Sequence, residues 1–186
     1  CPSMCKCAPE EIIHCNRSGL RALPAEIAAS TTSLNLSNNY LRILTTSTFR
    51  NLTFLHSLWL DGNNLTFLSP GTFHALSKLR ELALITYLHA NTFRGLLNLV
   101  SLDLSHCNIF EIHPLLFSHL PSLERLDLAS NNMRYVPQAF RNLSSLTKLN
   151  LYLNNNQISL ISDSAFLHLN KLHFLHLSKN NLSSLP

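Results

Sequence analysis

Residues 55–76 read Leu55-His56-Ser57-Leu58-Trp59-Leu60-Asp61-Gly62-Asn63-Asn64-Leu65-Thr66-Phe67-Leu68-Ser69-Pro70-Gly71-Thr72-Phe73-His74-Ala75-Leu76. Leu58-Trp59-Leu60 has the two-residue alternation of a short strand, with both leucines turned to one side. A strand of this length cannot bury its leucines alone. Copies stacked side by side can, which makes repetition the first thing to seek.

The spacing L-x-x-L-x-L-x-x-N-x-L-x-x-L-x4-F-x-x-L recurs along the chain. Units begin at Thr31, Leu55, Leu79, Leu99, Leu123, Leu146 and Leu172, with successive lengths of 24, 24, 20, 24, 23 and 26 residues. The expected product is a curved parallel sheet of about seven strands. Phe49, Phe73, Phe93, Phe117, Phe140 and Phe166 recur late in their units and are expected to stack into an aromatic spine on the convex side. Asn39, Asn63, Asn131 and Asn180 recur three places after the last strand leucine, and Asn154 is assigned to this column in the sixth unit. An inward amide there satisfies backbone groups of the adjoining turn. Cys107 holds the column in the fourth unit and reads as a small buried side chain with a weak donor, not a reactive thiol.

Composition narrows the function. Charged residues are 13% of the chain and the net charge is +4, with no run of Lys and Arg, so no nucleic-acid or membrane-surface footprint is expected. No apolar stretch approaches the roughly 18 residues of a membrane span, and no signal peptide is present. Any membrane anchor is expected to lie outside this chain, which starts at Cys1 as a mature or trimmed product would. Four of the five cysteines, Cys1, Cys5, Cys7 and Cys15, crowd the first fifteen residues. Their spacing lacks the paired Cys-x2-Cys of a zinc site and reads as a stapled cap from an oxidising compartment.

The whole chain resembles the leucine-rich repeats of extracellular proteins, and its first residues resemble their cysteine-rich cap. The resemblance implies an α/β leucine-rich-repeat solenoid: a right-handed horseshoe with a concave parallel sheet, an irregular convex side and a cap stapled as Cys1–Cys7 and Cys5–Cys15. Leu20-x-x-Leu23-Pro24 then leads from the cap, residues 1–30, into the repeats, residues 31–186. Tyr87-Leu88-His89-Ala90-x-Thr92-Phe93, followed by Leu102-Asp103-Leu104, is similar to the Nogo-receptor group and nyctalopin.

Two units break the pattern. The third keeps only Ile85, Thr86 and Tyr87 between Leu84 and Leu88. This is either a natural irregularity that kinks the solenoid or residues absent with the numbering closed over the gap. The second is preferred, because losing a ladder corner leaves buried backbone unpaired. The sixth is long by two, with Asn154-Asn155-Asn156-Gln157 before Ile158. The seventh stops at Leu185-Pro186 without a C-terminal cysteine cap, so the chain reads as a fragment.

An uncovered concave sheet offers the residues beside its strand leucines to solvent or to a partner. The column between those leucines reads Asn35, Trp59, Ala83, Asp103, Asp127, Asn150 and His176. Trp59 is expected to be exposed, with Asp61 beside it, as an anchor for a partner. Asp103 and Asp127, on strands about 4.8 Å apart, carry like charge that Arg125 partly neutralises. Tyr152, Phe174 and His176 form a second aromatic group.

His173-x-x-His176 points its rings differently on a strand and lacks a third ligand, so no metal or cofactor is expected. Catalytic and phosphate-binding motifs are missing, and an open sheet does not desolvate the aspartates enough to split their roles, so the chain is not read as an enzyme. Asn-x-Ser/Thr sequons at Asn16, Asn35, Asn51, Asn64, Asn142 and Asn181 fit a glycosylated surface, and a glycan at Asn35 would bias a partner toward the middle and C-terminal repeats. The expected function is recognition of an extracellular protein ligand or co-receptor, in a secreted or cell-surface receptor or adhesion protein of neuronal type. Immune recognition and matrix organisation are the alternatives, and oligomeric state is left open.

Overall fold

The computed structural model describes residues 1–84, 88, 90–137, 140, 143, 148–162, 165–166 and 172–183. A sheet of nine strands runs its length, in the order β1 (Lys6–Ala8), β2 (Ile12–His14), β3 (Ser33–Asn35), β5 (Ser57–Trp59), β7 (Glu81–Ala83), β8 (Ser101–Asp103), β9 (Arg125–Asp127), β10 (Leu149–Tyr152) and β11 (Leu172–His176). The seven repeat strands are all parallel; β1 and β2 form an antiparallel hairpin whose second strand continues the parallel stack. The cap is thus the first two strands of the sheet, an addition the repeat pattern alone does not reveal.

Three-residue strands have no independent stability, so stacking supplies it. Leu34, Leu58, Leu102 and Leu126 meet as direct Cα partners or through Leu82, and each of these four is completely buried. At the end of each strand the next backbone amide reaches the following repeat. Leu36 N donates to Trp59 O at 2.8 Å, Leu60 N to Ala83 O at 2.8 Å, Leu104 N to Asp127 O at 2.8 Å and Leu128 N to Tyr152 O at 2.9 Å. The convex side is built of turns and one short parallel pair, β4 (Ile43–Leu44) with β6 (Phe67–Leu68); among the described residues it holds no α-helix. Phe49, Phe73, Phe93, Phe117 and Phe140 are at most 1% exposed, with Phe49 and Phe73 stacked at 6.0 Å, while Phe166 is half-buried.

The disulfides are Cys1–Cys7 and Cys5–Cys15. The asparagine ladder is present, with one correction. In the sixth repeat it is Asn156, not Asn154, that is buried: its Nδ2 donates to Leu128 O at 3.0 Å, Leu153 O at 3.1 Å and Asn154 O at 3.3 Å, and its Oδ1 accepts from Met133 N. The cause is a register shift. Leu151 pairs with Leu126, Lys148 is exposed, and Leu149 takes the buried seat one residue late through an irregularity between Leu149 and Asn150. The sixth repeat is therefore not long at Asn154–Gln157; the additional residue lies upstream of β10. Cys107 is half-buried rather than buried, and its thiol donates to Leu84 O at 2.9 Å.

Residues 85–87, and with them the choice between a natural shortening and a gap, lie outside the described residues, as do the sequon at Asn142, the repeat start at Leu146 and the end at Leu185-Pro186. Beside the shortened repeat is a cavity of about 610 Å³ whose lining includes Leu88, Cys107, Ile109, Ile112 and Leu116.

Candidate functional site

The concave column between the strand leucines runs Asn35, Trp59, Ala83, Asp103, Asp127, Tyr152 and His176, consecutive Cα partners from β3 to β11. Tyr152 thus replaces Asn150, which stands one column over, between Arg125 and Phe174. The correction moves an aromatic ring into the line of the aspartates.

The register divides the proposed residues into two groups. At the N-terminal end Trp59 is half-buried, not fully exposed, and its neighbour Ala83, facing the same side, is 7% exposed. Asp61 is tied down: its Oδ1 accepts from Ser37 Oγ at 2.6 Å.

Toward the C-terminal end the expected residues come together. Arg125 donates from Nη2 to Asp127 Oδ2 at 3.1 Å, and its guanidinium stacks 4.6 Å from the centre of the Tyr152 ring. Tyr152 meets Phe174 at 5.2 Å and His176 at 6.4 Å, and the latter two are 6.2 Å apart. The imidazole Nε2 of His176 is 2.5 Å from Ser178 Oγ. Phe174 is 46% exposed, so the cluster keeps a free apolar face. Asp103 is one strand from Asp127.

One role of these acids was not foreseen. Asp127 Oδ1 accepts from Ala129 N at 3.0 Å, Asp103 Oδ1 from Ser105 N at 2.9 Å, and Asn35 Oδ1 from Ser37 N at 2.9 Å. Each side chain binds the amide two residues on and shapes the turn off the sheet, as Asx residues do. The signal was available: all three are Asp or Asn in one column. Asp103 Oδ2 has no hydrogen bond among the described residues. From β5 to β9 the outward strand positions carry Glu81, Asp103 and Asp127 against Arg125, an acidic strip on a chain of net +4.

Of the sequons, Asn16, Asn51, Asn64 and Asn181 are exposed, while Asn35 is half-buried on the concave sheet. No described helix is long and apolar enough to cross a membrane.

The chain is similar to several known proteins. Human leucine-rich repeats and immunoglobulin-like domains protein 1 is 31% identical over 185 residues, covering 98% of this chain and 17% of that protein. Human reticulon-4 receptor-like 2, of the Nogo-receptor group that the sequence resembles, is 36% identical over 115 residues, covering 59% of this chain and 27% of that protein. The chain thus spans a minor part of either relative. Among solved structures, human 5T4 (Wnt-activated inhibitory factor 1, trophoblast glycoprotein) superposes with a TM-score of 0.84 at 29% identity, covering 98% of this chain and 73% of that one. The pattern described as leucine rich repeat matches residues 29–85 and 97–152, and with the stacked strands and asparagine ladder it establishes that this chain belongs to the leucine-rich repeat family.

Proposed function

We propose that the chain is a recognition module of a secreted or cell-surface protein and that it binds a protein partner through its concave face, centred on β8 to β11. The observation that carries this reading is Arg125, held between Asp127 and Tyr152 and continuous with the rings of Phe174 and His176. An ion pair braced by a ring, flanked by a half-exposed phenylalanine, is a preorganised surface of the kind that anchors an interface. The strip of Glu81, Asp103 and Asp127 selects a partner with basic groups, and Trp59, about 10 Å from Asp103 at two strand spacings, offers a second apolar anchor. Two disulfides in the cap, the exposed sequons and the likeness to a receptor-like protein and a protein named as a glycoprotein support an extracellular setting.

The test is a binding screen of the secreted chain against arrayed extracellular ectodomains by surface plasmon resonance, followed by variants. For a partner on this face, Phe174→Ala weakens binding by about 2 kcal/mol, some thirty-fold. Asp103→Asn with Asp127→Asn slows association and flattens its salt dependence. Partners that ignore both changes and are lost with Arg50→Ala or Arg94→Ala on the other side would overturn the reading.

A further inference from the structure

We propose that Asn35 carries an N-linked glycan whose first sugar lies against the indole of Trp59, so that one modification withdraws that residue from the concave binding surface. Only the consequence for binding rests on the concave-face reading; the modification and its contact stand on their own observations.

Asn35-Leu36-Ser37 is a sequon, and it sits in strand β3 with Trp59 as the direct Cα partner of Asn35 in β5. Two adjacent strands are about 4.8 Å apart, close to the width of one pyranose ring. The amide of Asn35 is already oriented. Its Oδ1 accepts from Ser37 N at 2.9 Å, turning the oxygen toward its own chain and leaving Nδ2 as the atom directed away from that turn. Burial of Leu34 and Leu36 on the opposite side commits the side chain to the open face. Half-exposure of Asn35 is no obstacle, because the sugar is transferred to the nascent chain before the repeat folds; the fold has only to leave room for the product.

The two neighbours of Asn35 in the column differ as sugar contacts. His14, its partner in β2, is exposed. Trp59, half-buried, carries a broad flat ring and has the small Ala83 as its other neighbour in the column. The electron-rich face of an indole attracts the row of C–H groups on a pyranose, as it attracts other positively polarised edges. In the transfer, Nδ2 attacks the anomeric carbon of an oligosaccharide carried on a lipid pyrophosphate. The new N–C1 bond forms as the C1–O bond breaks, lipid pyrophosphate leaves with the bonding pair, and Nδ2 gives up one proton. No oxidation or reduction occurs.

Because Trp59 is the chain's single tryptophan, its fluorescence reports on this contact directly. The full chain is secreted from a eukaryotic host, and glycopeptides are mapped by mass spectrometry. Acrylamide quenching is then compared among the parent, Asn35→Gln, and Asn51→Gln, whose sequon lies outside the concave strands. The expected result is sugar at Asn35, a quenching constant at least about twofold higher in Asn35→Gln, and a parental value in Asn51→Gln. Trimming the parent glycan to its first N-acetylglucosamine should leave quenching low, since that sugar makes the contact. A bare Asn35, or equal quenching in parent and Asn35→Gln, overturns the proposal and leaves the concave-face reading untouched. Failure of the Phe174 and aspartate variants to alter binding would overturn that reading without moving either measurement here.

Discussion

The thiol of Cys107 donates to the carbonyl of Leu84 across the junction of the third and fourth repeats, at 2.9 Å, where other repeats use an asparagine amide. Cys107 is also among the residues lining the cavity of about 610 Å³ beside the shortened repeat. Access to it is therefore set by size. A small reagent such as methyl methanethiosulfonate should modify Cys107 in the native protein, slowly, because the thiol is engaged and half-buried. A bulky polymer-linked maleimide should react only after unfolding. Intact-mass kinetics check this, and equal native rates for the two reagents would contradict it.

The corrected ladder predicts a sharp difference between two neighbouring asparagines. Asn156→Ala removes the two N–H donors shared among three carbonyls and leaves the Met133 amide without its acceptor, costing about 2–3 kcal/mol. Asn154→Ala removes a side chain whose buried Oδ1 has no partner among the described residues, and should change stability by about 0.5 kcal/mol or less. Urea denaturation of both variants decides between the two registers.

That correction shows where the sequence was legible and where it was not. Leu58-Trp59-Leu60 and Leu126-Asp127-Leu128 each allow one register, and the structure keeps it. Leu149, Leu151 and Leu153 alternate over five residues, and L-x-x-L-x-L fits from Leu146, whereas the true frame puts Lys148 at its first position. Only the neighbouring strand, pairing Leu151 with Leu126, resolves the choice. The same slip hid Tyr152 from the binding column. The contact of Arg125 with Tyr152 was illegible for another reason: it joins residues on different strands, and depends on both the register and a rotamer.

Among the described residues, the turn off each repeat strand passes through a left-handed residue. The residue two places past the last strand leucine has positive φ in Asn38, Gly62, His106, Ser130, Asn155 and Lys179. A Cβ on Gly62 would stand 2.1 Å from Asn38 Oδ1, whereas one on Gly19, at similar φ, meets nothing within 4 Å. Both Gly→Ala changes carry the left-handed backbone cost of about 1–2 kcal/mol, and Gly62→Ala adds displacement of the Asn38 side chain. Thermal unfolding of the pair should place Gly62→Ala lower; equal melting temperatures would refute the steric part.

Reduction of the cap is expected to act locally. Cys1–Cys7 and Cys5–Cys15 close short loops around β1 and β2, and the second holds the buried Cys15 just beyond β2. Losing them should cost about 2–4 kcal/mol in the N-terminal region. Hydrogen exchange after mild reduction should quicken at Ile12–His14 and Ser33–Asn35 while Ser101–Asp103 and Arg125–Asp127 keep their protection. Uniform loss along the chain would show that the cap and repeats open as one unit.

Successive strand leucines Leu34, Leu58, Leu82, Leu102, Leu126 and Leu151 are separated by 24, 24, 20, 24 and 25 residues, yet each pairs with the next in an unbroken parallel ladder. The strand pairing is the same whatever the number of residues between the leucines. The inner face therefore behaves as a ruler whose graduations, about 4.8 Å each, do not depend on how much chain is spent between marks. Lengthening or trimming an arc can reshape the outside of the molecule while the interval from Trp59 to Asp103 stays two graduations. A protein read in this way can diversify its back without altering what its front measures.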